Sequence, residues 1–435
     1  MKIQNVEVRN FKGFEHRKFI FHPNFNLIVG RNGTGKTSAL DAIAVAIGSW
    51  FLGLRGADSR HIKPTEVLLK SVDQTSEFVE DRFEPQYPCE VSAEGTVLGK
   101  HIPWCRTLGS QQGRTTYTGA RKMKTLAAMA DEAIRSGESI DLPLICYYGT
   151  GRLWQEPREA FIVAGHEKIA DKKELSRLSG YKYSVDPKLS VAQFTTWMAR
   201  QSWISFKKRN NAPHYEAIKS AIVSCIEGAE DIDFDPGIGE VIVKFSNGYR
   251  PFSLLSDGQR CMLAMIGDLA QKAVALNPHF GVEILEKTPG VVLIDELDLH
   301  LHPQWQRRVI EDLRRLFKNV QFICTTHSPF LIQSLRSGEE LLMLDGQPLP
   351  DLANLSIETI AECIQGVTNT QTSKRYAEEK NFARSQLESI ENAAELPPEE
   401  QKRIALELSE QLEKFSSDPA FQAFLEMKRI AKLGQ

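Results

Sequence analysis

Gly30-Arg31-Asn32-Gly33-Thr34-Gly35-Lys36-Thr37 decides the fold. It fits GxxxxGK[ST], follows the apolar run Phe25–Val29, and opens a stretch, 37–52, that carries Leu40, Ile43 and Ile47 on one helical face. A strand, a glycine-rich turn and a helix in that order make a phosphate cradle. The glycines let backbone N–H groups curl around phosphate oxygens, and the helix N-terminus adds partial positive charge. Lys36 supplies a point charge for β/γ-phosphates, and the Thr37 hydroxyl can ligate Mg2+. Asn32, Gly33, Thr34, Gly35, Lys36, Thr37 and Ser38 are the candidate phosphate ligands.

Further along, Val291-Val292-Leu293-Ile294-Asp295-Glu296 is a buried strand ending in two acids. Adjacent carboxylates at the end of such a strand point to a charge they must meet. Asp295 is the candidate metal ligand beside Thr37, and Glu296 the candidate base that polarises an attacking water. The apolar run 320–324 is the next strand, with a helix expected over 303–317, and strand–helix–strand in that form implies a parallel α/β sheet. It runs into Thr325-Thr326-His327-Ser328-Pro329. Leu255-Ser256-Asp257-Gly258-Gln259-Arg260 heads an apolar-faced helix, with Ser256 as an N-cap and Asp257 facing the dipole as the plain alternative reading.

Together these segments resemble the ABC-type ATPase superfamily, whose signature is LSxGQ. The resemblance implies that ATP is gripped with Mg2+, that Ser256, Gly258 and Gln259 approach the γ-phosphate held by a second copy in a head-to-tail dimer or higher oligomer, and that His327 senses that phosphate. Catalytic roles fall to Glu296 and His327. "VEVRNFKGF" at the start, Leu40-Asp41-Ala42-Ile43 after the loop, and Asp295-Glu296-Leu297-Asp298-Leu299-His300-Leu301-His302-Pro303 look like the RecF/SMC/OLD-like branch. The gap of 220 residues from Lys36 to Ser256 (256 − 36) exceeds that of a transporter ATPase, and no heptad run fills it. Only 108 residues follow His327 (435 − 327), without the acidic cluster of a Toprim nuclease.

"LICYYGTGRLW", "DLHLHPQWQR" and "TTHSPFLIQS" are similar to the ATPase subunits of Septu-type and retron-associated anti-phage systems. That likeness implies control of a partner nuclease of HNH type, with DNA or a retron RNA–DNA hybrid as the nucleic acid. A RecF-like, ATP-gated DNA-binding repair protein is the alternative, and a nucleotide-locked scaffold with little turnover is the third. The family also implies a coupling glutamine after the strand ending at Tyr148, for which Gln155 is the nearest candidate. It further implies contacts from Arg9 and Lys12 to the adenine side, although exposed strand charges read equally well. His300 and His302 beside Asp298 suggest a metal site, but the family places that segment at the dimer seam.

The expected architecture is α/β: a P-loop ATPase head with a mixed sheet flanked by helices, an inserted β-rich arm, a helical lobe and a C-terminal helical region. The boundaries are 1–150 (arm about 58–136), 151–250, 251–345 and 346–435. Within 155–230, Trp197, Trp203 and Phe206 read as packing anchors. Composition agrees with a large globular chain: 435 residues, 42% hydrophobic and 25% charged. A net charge of −3 gives no global pull on nucleic acid, so any such contact needs a local patch. The stretch 100–124 is one: Lys100, Arg106, Arg114, Arg121, Lys122 and Lys124 without an acid, interleaved with Trp104 and Tyr117, or else a solvated arm or docking surface. Seven scattered cysteines, the absence of an apolar leader and the lack of a run long enough to span a bilayer imply reduced thiols and a cytoplasmic chain with no membrane partner.

Overall fold

The computed structural model describes residues 1–72, 82–152, 176–187, 191–208, 213–345, 355–367, 373–393 and 419–433, with isolated positions between 397 and 407. Gln155 lies outside the described residues, as does most of 396–400, where the sequence suggests a helix start. The chain divides into two compact units, Met1–Ile360 and Ala361–Gln435.

The first unit opens with a hairpin of β1 (Lys2–Phe11) and β2 (Phe14–Ile20), then β3 (Phe25–Val29), which runs through the phosphate loop into α1 (Lys36–Ile47). Two short paired strands follow, β4 (Leu69–Val72) and β5 (Arg82–Pro85), then β6 (Cys89–Val97), β7 (Lys100–Leu108), α2 (Arg121–Arg135) and β8 (Leu144–Tyr148). The lobe after β8 contains α3 (Val191–Lys208), α4 (Pro213–Cys225) and a three-stranded antiparallel sheet of β9 (Ala229–Asp235), β10 (Glu240–Phe245) and β11 (Gly248–Pro251). The chain returns to the core with α5 (Asp257–Leu276), α6 (Ile284–Lys287), β12 (Gly290–Ile294), α7 (Pro303–Gln306), α8 (Val309–Leu316), β13 (Val320–Thr325), α9 (Pro329–Gln333) and β14 (Leu341–Met343). The helix expected over 303–317 breaks into α7 and α8 at Arg308, whose φ of −113° leaves the helical range.

The mixed character is divided between two sheets. The central one has the order β14-β3-β13-β12-β8 and is parallel at every pairing. Strands β3, β8, β12 and β13 are buried at every residue, as a parallel sheet covered on both faces requires. The second sheet, β2-β1-β6-β7, is antiparallel, and β6 alternates between buried and half-buried positions. Helix α1 packs against both sheets, touching β1, β6 and β7 on one side and β12 and β13 on the other. From Ala39 onward its sequence is apolar except for Asp41, which suits a helix buried from there to its end.

The β-rich insert therefore completes the N-terminal hairpin's sheet. Trp104 on β7 is 2% exposed and donates from Nε1 to the Ala46 carbonyl at 2.9 Å, tying the insert to the end of α1. Among the expected packing anchors, Trp197 is half-buried and stacks on Phe194 at 6.2 Å, whereas Trp203 and Phe206 are exposed. Helical spacing alone does not say which apolar side chains turn inward. Strand β8 is tied to α5 by the Tyr148 hydroxyl, which donates to Asp268 at 2.7 Å, with Lys272 2.8 Å from the same carboxylate.

In the second unit, α11 (Lys374–Ala393), which follows α10 (Ile357–Cys363) at the division, packs against the helix Pro419–Leu433 through Leu425, Phe382 and Leu387. All seven cysteines are free, and no helix among the described residues is long and apolar enough to cross a membrane.

Because Trp104 belongs to the core, Trp104→Ala is expected to destabilise the protein by about 3–5 kcal/mol. Tyr117→Ala, at an exposed position of the same insert, should stay within about 0.5 kcal/mol. Urea unfolding followed by circular dichroism measures both, and equal small effects would contradict an integral insert.

Candidate active site

The phosphate loop needs its glycines for conformation and for space. Gly33 and Gly35 have φ of 83° and 98°, in the left-handed region. A Cβ on Gly35 would stand 2.7 Å from the Phe14 ring, so the hairpin's aromatic braces the loop from behind. Thr34 Oγ1 donates to the Arg31 carbonyl at 2.9 Å. Lys36 Nζ donates to the carbonyls of Gly30 and Arg31 at 2.8 and 3.0 Å. Desolvation lowers the Lys36 pKa, and the charges of Asp345, Glu296, Asp295 and Asp298 oppose that shift. Asp345 lies just beyond β14, where its carboxylate accepts from the Arg31 amide at 3.3 Å.

The Asp295 carboxylate joins three elements. Oδ2 accepts from the Thr37 hydroxyl on α1 at 2.9 Å, and Oδ1 accepts from the Thr325 hydroxyl at the end of β13 at 2.6 Å. Thr325 Oγ1 in turn accepts from the Glu296 amide at 2.7 Å. Asp295 is 3% exposed, and among the described residues no basic side chain lies within salt-bridge distance of it. A buried carboxylate held next to the Thr37 hydroxyl, with Lys36 near but not in contact, fits a hard divalent cation. Glu296 sits one residue on at φ +50°, half-buried, where the strand turns away.

The site contains two side chains whose role the sequence reading did not assign. Thr325 lies in the quoted TTHSP segment but carried no role there. Asp298 accepts from Thr326 Oγ1 at 2.5 Å and from the His327 amide at 3.3 Å, which fixes the backbone under the exposed His327. Neither has a motif of its own, because their function lies in contacts across the sheet.

Ser256 is the N-cap of α5. Its Oγ accepts from the Gln259 amide at 3.3 Å, and Gln259 Oε1 accepts from the Ser256 amide at 3.1 Å, closing a capping box. Ser256 is nonetheless exposed. Gly258 is required by close approach: a Cβ there would stand 2.7 Å from the His300 carbonyl of the same chain. The DLHLHP segment thus packs beneath its own signature helix, and His302 Nδ1 caps α7 by accepting from the Gln304 amide at 3.4 Å.

Other candidates lie elsewhere. Lys12 Nζ pairs with Asp41, and Arg60 joins Asp41 to Glu66, so Lys12 belongs to an ion network behind α1. Arg9 is exposed near Glu7. The basic stretch splits in two. Arg106 is 0% exposed and donates to Thr116 O, Ser59 Oγ and His61 Nδ1, and burial pulls its pKa down to about 10. Lys100, Arg114, Arg121, Lys122 and Lys124 are exposed, and the Lys124 amine lies 4.8 Å from the exposed Tyr117 ring. A patch reading for Arg106 and Trp104 is thereby excluded.

Comparison with known proteins places the chain among relatives. A family model described as "AAA domain" matches residues 5–230, and a second, described as "AAA domain, putative AbiEii toxin, Type IV TA system", matches 185–333. "Retron Ec83 probable ATPase" of Escherichia coli is 24% identical, covering 91% of this chain and 82% of that protein. "Septu protein PtuA" of Bacillus thuringiensis is 29% identical, covering 85% of each. An SMC head domain from Thermotoga maritima aligns over 79% of this chain and 94% of that one, at 16% identity and a TM-score of 0.40. With its phosphate loop, paired strand-end acids and a model match over more than half its length, the chain belongs to the AAA-domain family of P-loop ATPases and is similar to the Septu and retron-associated ATPases.

Proposed function

We propose that this chain hydrolyses ATP as an ABC-type, head-to-tail dimer and that closure of the dimer controls a partner nuclease of HNH type in anti-phage defence. The observation that carries the chemistry is the Asp295 carboxylate, which accepts from Thr37 and Thr325 beside Lys36 and Glu296. Likeness to a Septu PtuA and a retron ATPase supports the biological setting.

In this reading, the backbone amides of the phosphate loop and Lys36 hold the β- and γ-phosphates. Thr37 and Asp295 would hold Mg2+, which neutralises charge on the phosphate oxygens when bound. Glu296 takes a proton from water as the water oxygen attacks the γ-phosphorus. The bond to the β–γ bridging oxygen breaks, leaving ADP and phosphate. His327 contacts the γ-phosphate, while Ser256 and the Gly258 amide arrive from the second chain. Residues 1–150 and 251–345 form the ATPase core, 151–250 a lobe that nucleotide moves, and 346–435 a helical region outside the core.

Glu296→Gln is expected to keep ATP affinity, slow hydrolysis by roughly 10²–10⁴-fold and accumulate an ATP-bound dimer on size-exclusion chromatography. Hydrolysis at the wild-type rate would remove Glu296 from its role. Lys36→Ala should show no ATP binding in a calorimetric titration. Native mass spectrometry of the complex from its host reads the partner. A bound nuclease supports the defence role, whereas a lone chain with steeply salt-dependent DNA stimulation of its ATPase supports a repair clamp.

A further inference from the structure

Arg152 is 1% exposed, lies four residues beyond the end of β8, and has no assigned role in the reading above. Its guanidinium donates from Nη1 to the carbonyls of Asp295 at 2.7 Å and Gly149 at 3.2 Å, and from Nη2 to the carbonyl of Glu296 at 2.9 Å. Nε donates to Cys261 Sγ on α5 at 3.2 Å. Among the described residues no carboxylate lies within salt-bridge distance of it. A buried cation without a counter-ion is costly, and here main-chain carbonyls meet the charge.

Those carbonyls are the ones the hydrolytic step depends on. Where β12 ends, its ladder stops and the Asp295 and Glu296 carbonyls lose strand partners, although the Glu296 carbonyl also accepts from the Leu299 amide of the turn at 2.9 Å. Glu296 also adopts φ +50°, which side chains other than glycine rarely take and which persists only when its surroundings enforce it. The amides are pinned from two sides: Asp295 N donates to the Tyr148 carbonyl at 2.8 Å, and Glu296 N donates to Thr325 Oγ1. Arg152 pins the carbonyls, and its planar fork fixes the direction of each bond while Nε reaches Cys261, where the rotatable donors of an ammonium on a flexible stem would not. The same side chain touches the second turn of the helix headed by Ser256.

We propose that Arg152 is a positioning residue for hydrolysis: its fork holds the left-handed turn that aims the Glu296 carboxylate and links that turn, through Cys261, to the signature helix. The proposal rests on the ATPase reading above, with Glu296 as base. Arg152 touches neither phosphate nor water in this scheme, so its loss acts through the turn that carries Asp295 and Glu296, and on the rate chiefly through the aim of Glu296.

The test is Arg152→Lys in the full-length chain, with steady-state ATP hydrolysis, calorimetric ATP affinity and melting temperature measured side by side. The expected result is a fall in kcat of at least about tenfold, with ATP affinity within about threefold. In the Glu296→Gln background the same substitution should cost less than about twofold more, because the group it aims is already gone. Three outcomes overturn the proposal: kcat within twofold of wild type, equal losses of kcat and ATP affinity with a lowered melting temperature, or full additivity with Glu296→Gln. If Arg152→Lys is insoluble, Arg152→Gln is read in the same way. A wild-type chain that binds ATP but does not turn it over sinks the hydrolysis reading and this proposal with it, whereas normal wild-type turnover with an indifferent Arg152→Lys sinks this proposal alone.

Discussion

The carboxylate of Asp295 is the constraint around which the rest of the core is arranged. Its two oxygens take hydroxyls from α1 and from the end of β13, so the phosphate loop, the acidic strand end and the switch segment cannot shift independently. It is buried and lacks a basic partner within salt-bridge distance among the described residues. Lys36 and the two hydroxyls meet part of that charge, and a cationic ligand would meet the rest. The site is therefore organised for charge before any ligand arrives, as electrostatic preorganisation requires.

Parallel strands explain how one carboxylate reaches so many groups. In the order β14-β3-β13-β12-β8, every strand delivers a polar group at or just past its carboxyl end: Asp345, the phosphate loop, Thr325 with His327, Asp295 with Glu296, and Arg152. Open α/β sheets gather ligands at that edge because all the strand ends point the same way. The two-sheet sandwich around α1 serves the same end. With α1 buried between sheets, the phosphate loop at its start is anchored, and Phe14 from the second sheet supports Gly35 directly.

Residues whose chemistry demands a local pattern were legible in the sequence. The glycines at 33 and 35 with Lys36 and Thr37, the acids ending an apolar strand, and the capping-box spacing of Ser256 and Gln259 all show in short windows. Thr325, Asp298 and Arg152 were not, because each acts through a partner far away in sequence. The hydroxyl-to-carboxylate contacts that hold Asp295 have no local signature: Thr37 and Asp295 are 258 positions apart, and Thr325 and Asp295 are 30 apart. Burial was the other blind spot. Arg106 and Trp104 sit in a run of basic residues, yet β7 alternates, and both of them point inward. Trp203 and Phe206 carry the opposite lesson, as aromatic residues at helical spacing that remain exposed.

In the proposed dimer the catalytic unit is shared, with Lys36 of one chain served by Ser256 of another. The decisive experiment mixes two crippled chains: Lys36→Ala, which lacks the cradle charge, and Ser256→Arg, which blocks the signature tip. Each alone should be inactive. An equimolar mixture should recover roughly a quarter of the wild-type ATPase rate, since half of randomly paired dimers are mixed and each of those holds one intact shared site. No recovery in a mixture shown by native mass spectrometry to contain mixed dimers, or wild-type turnover by Ser256→Arg alone, would contradict it.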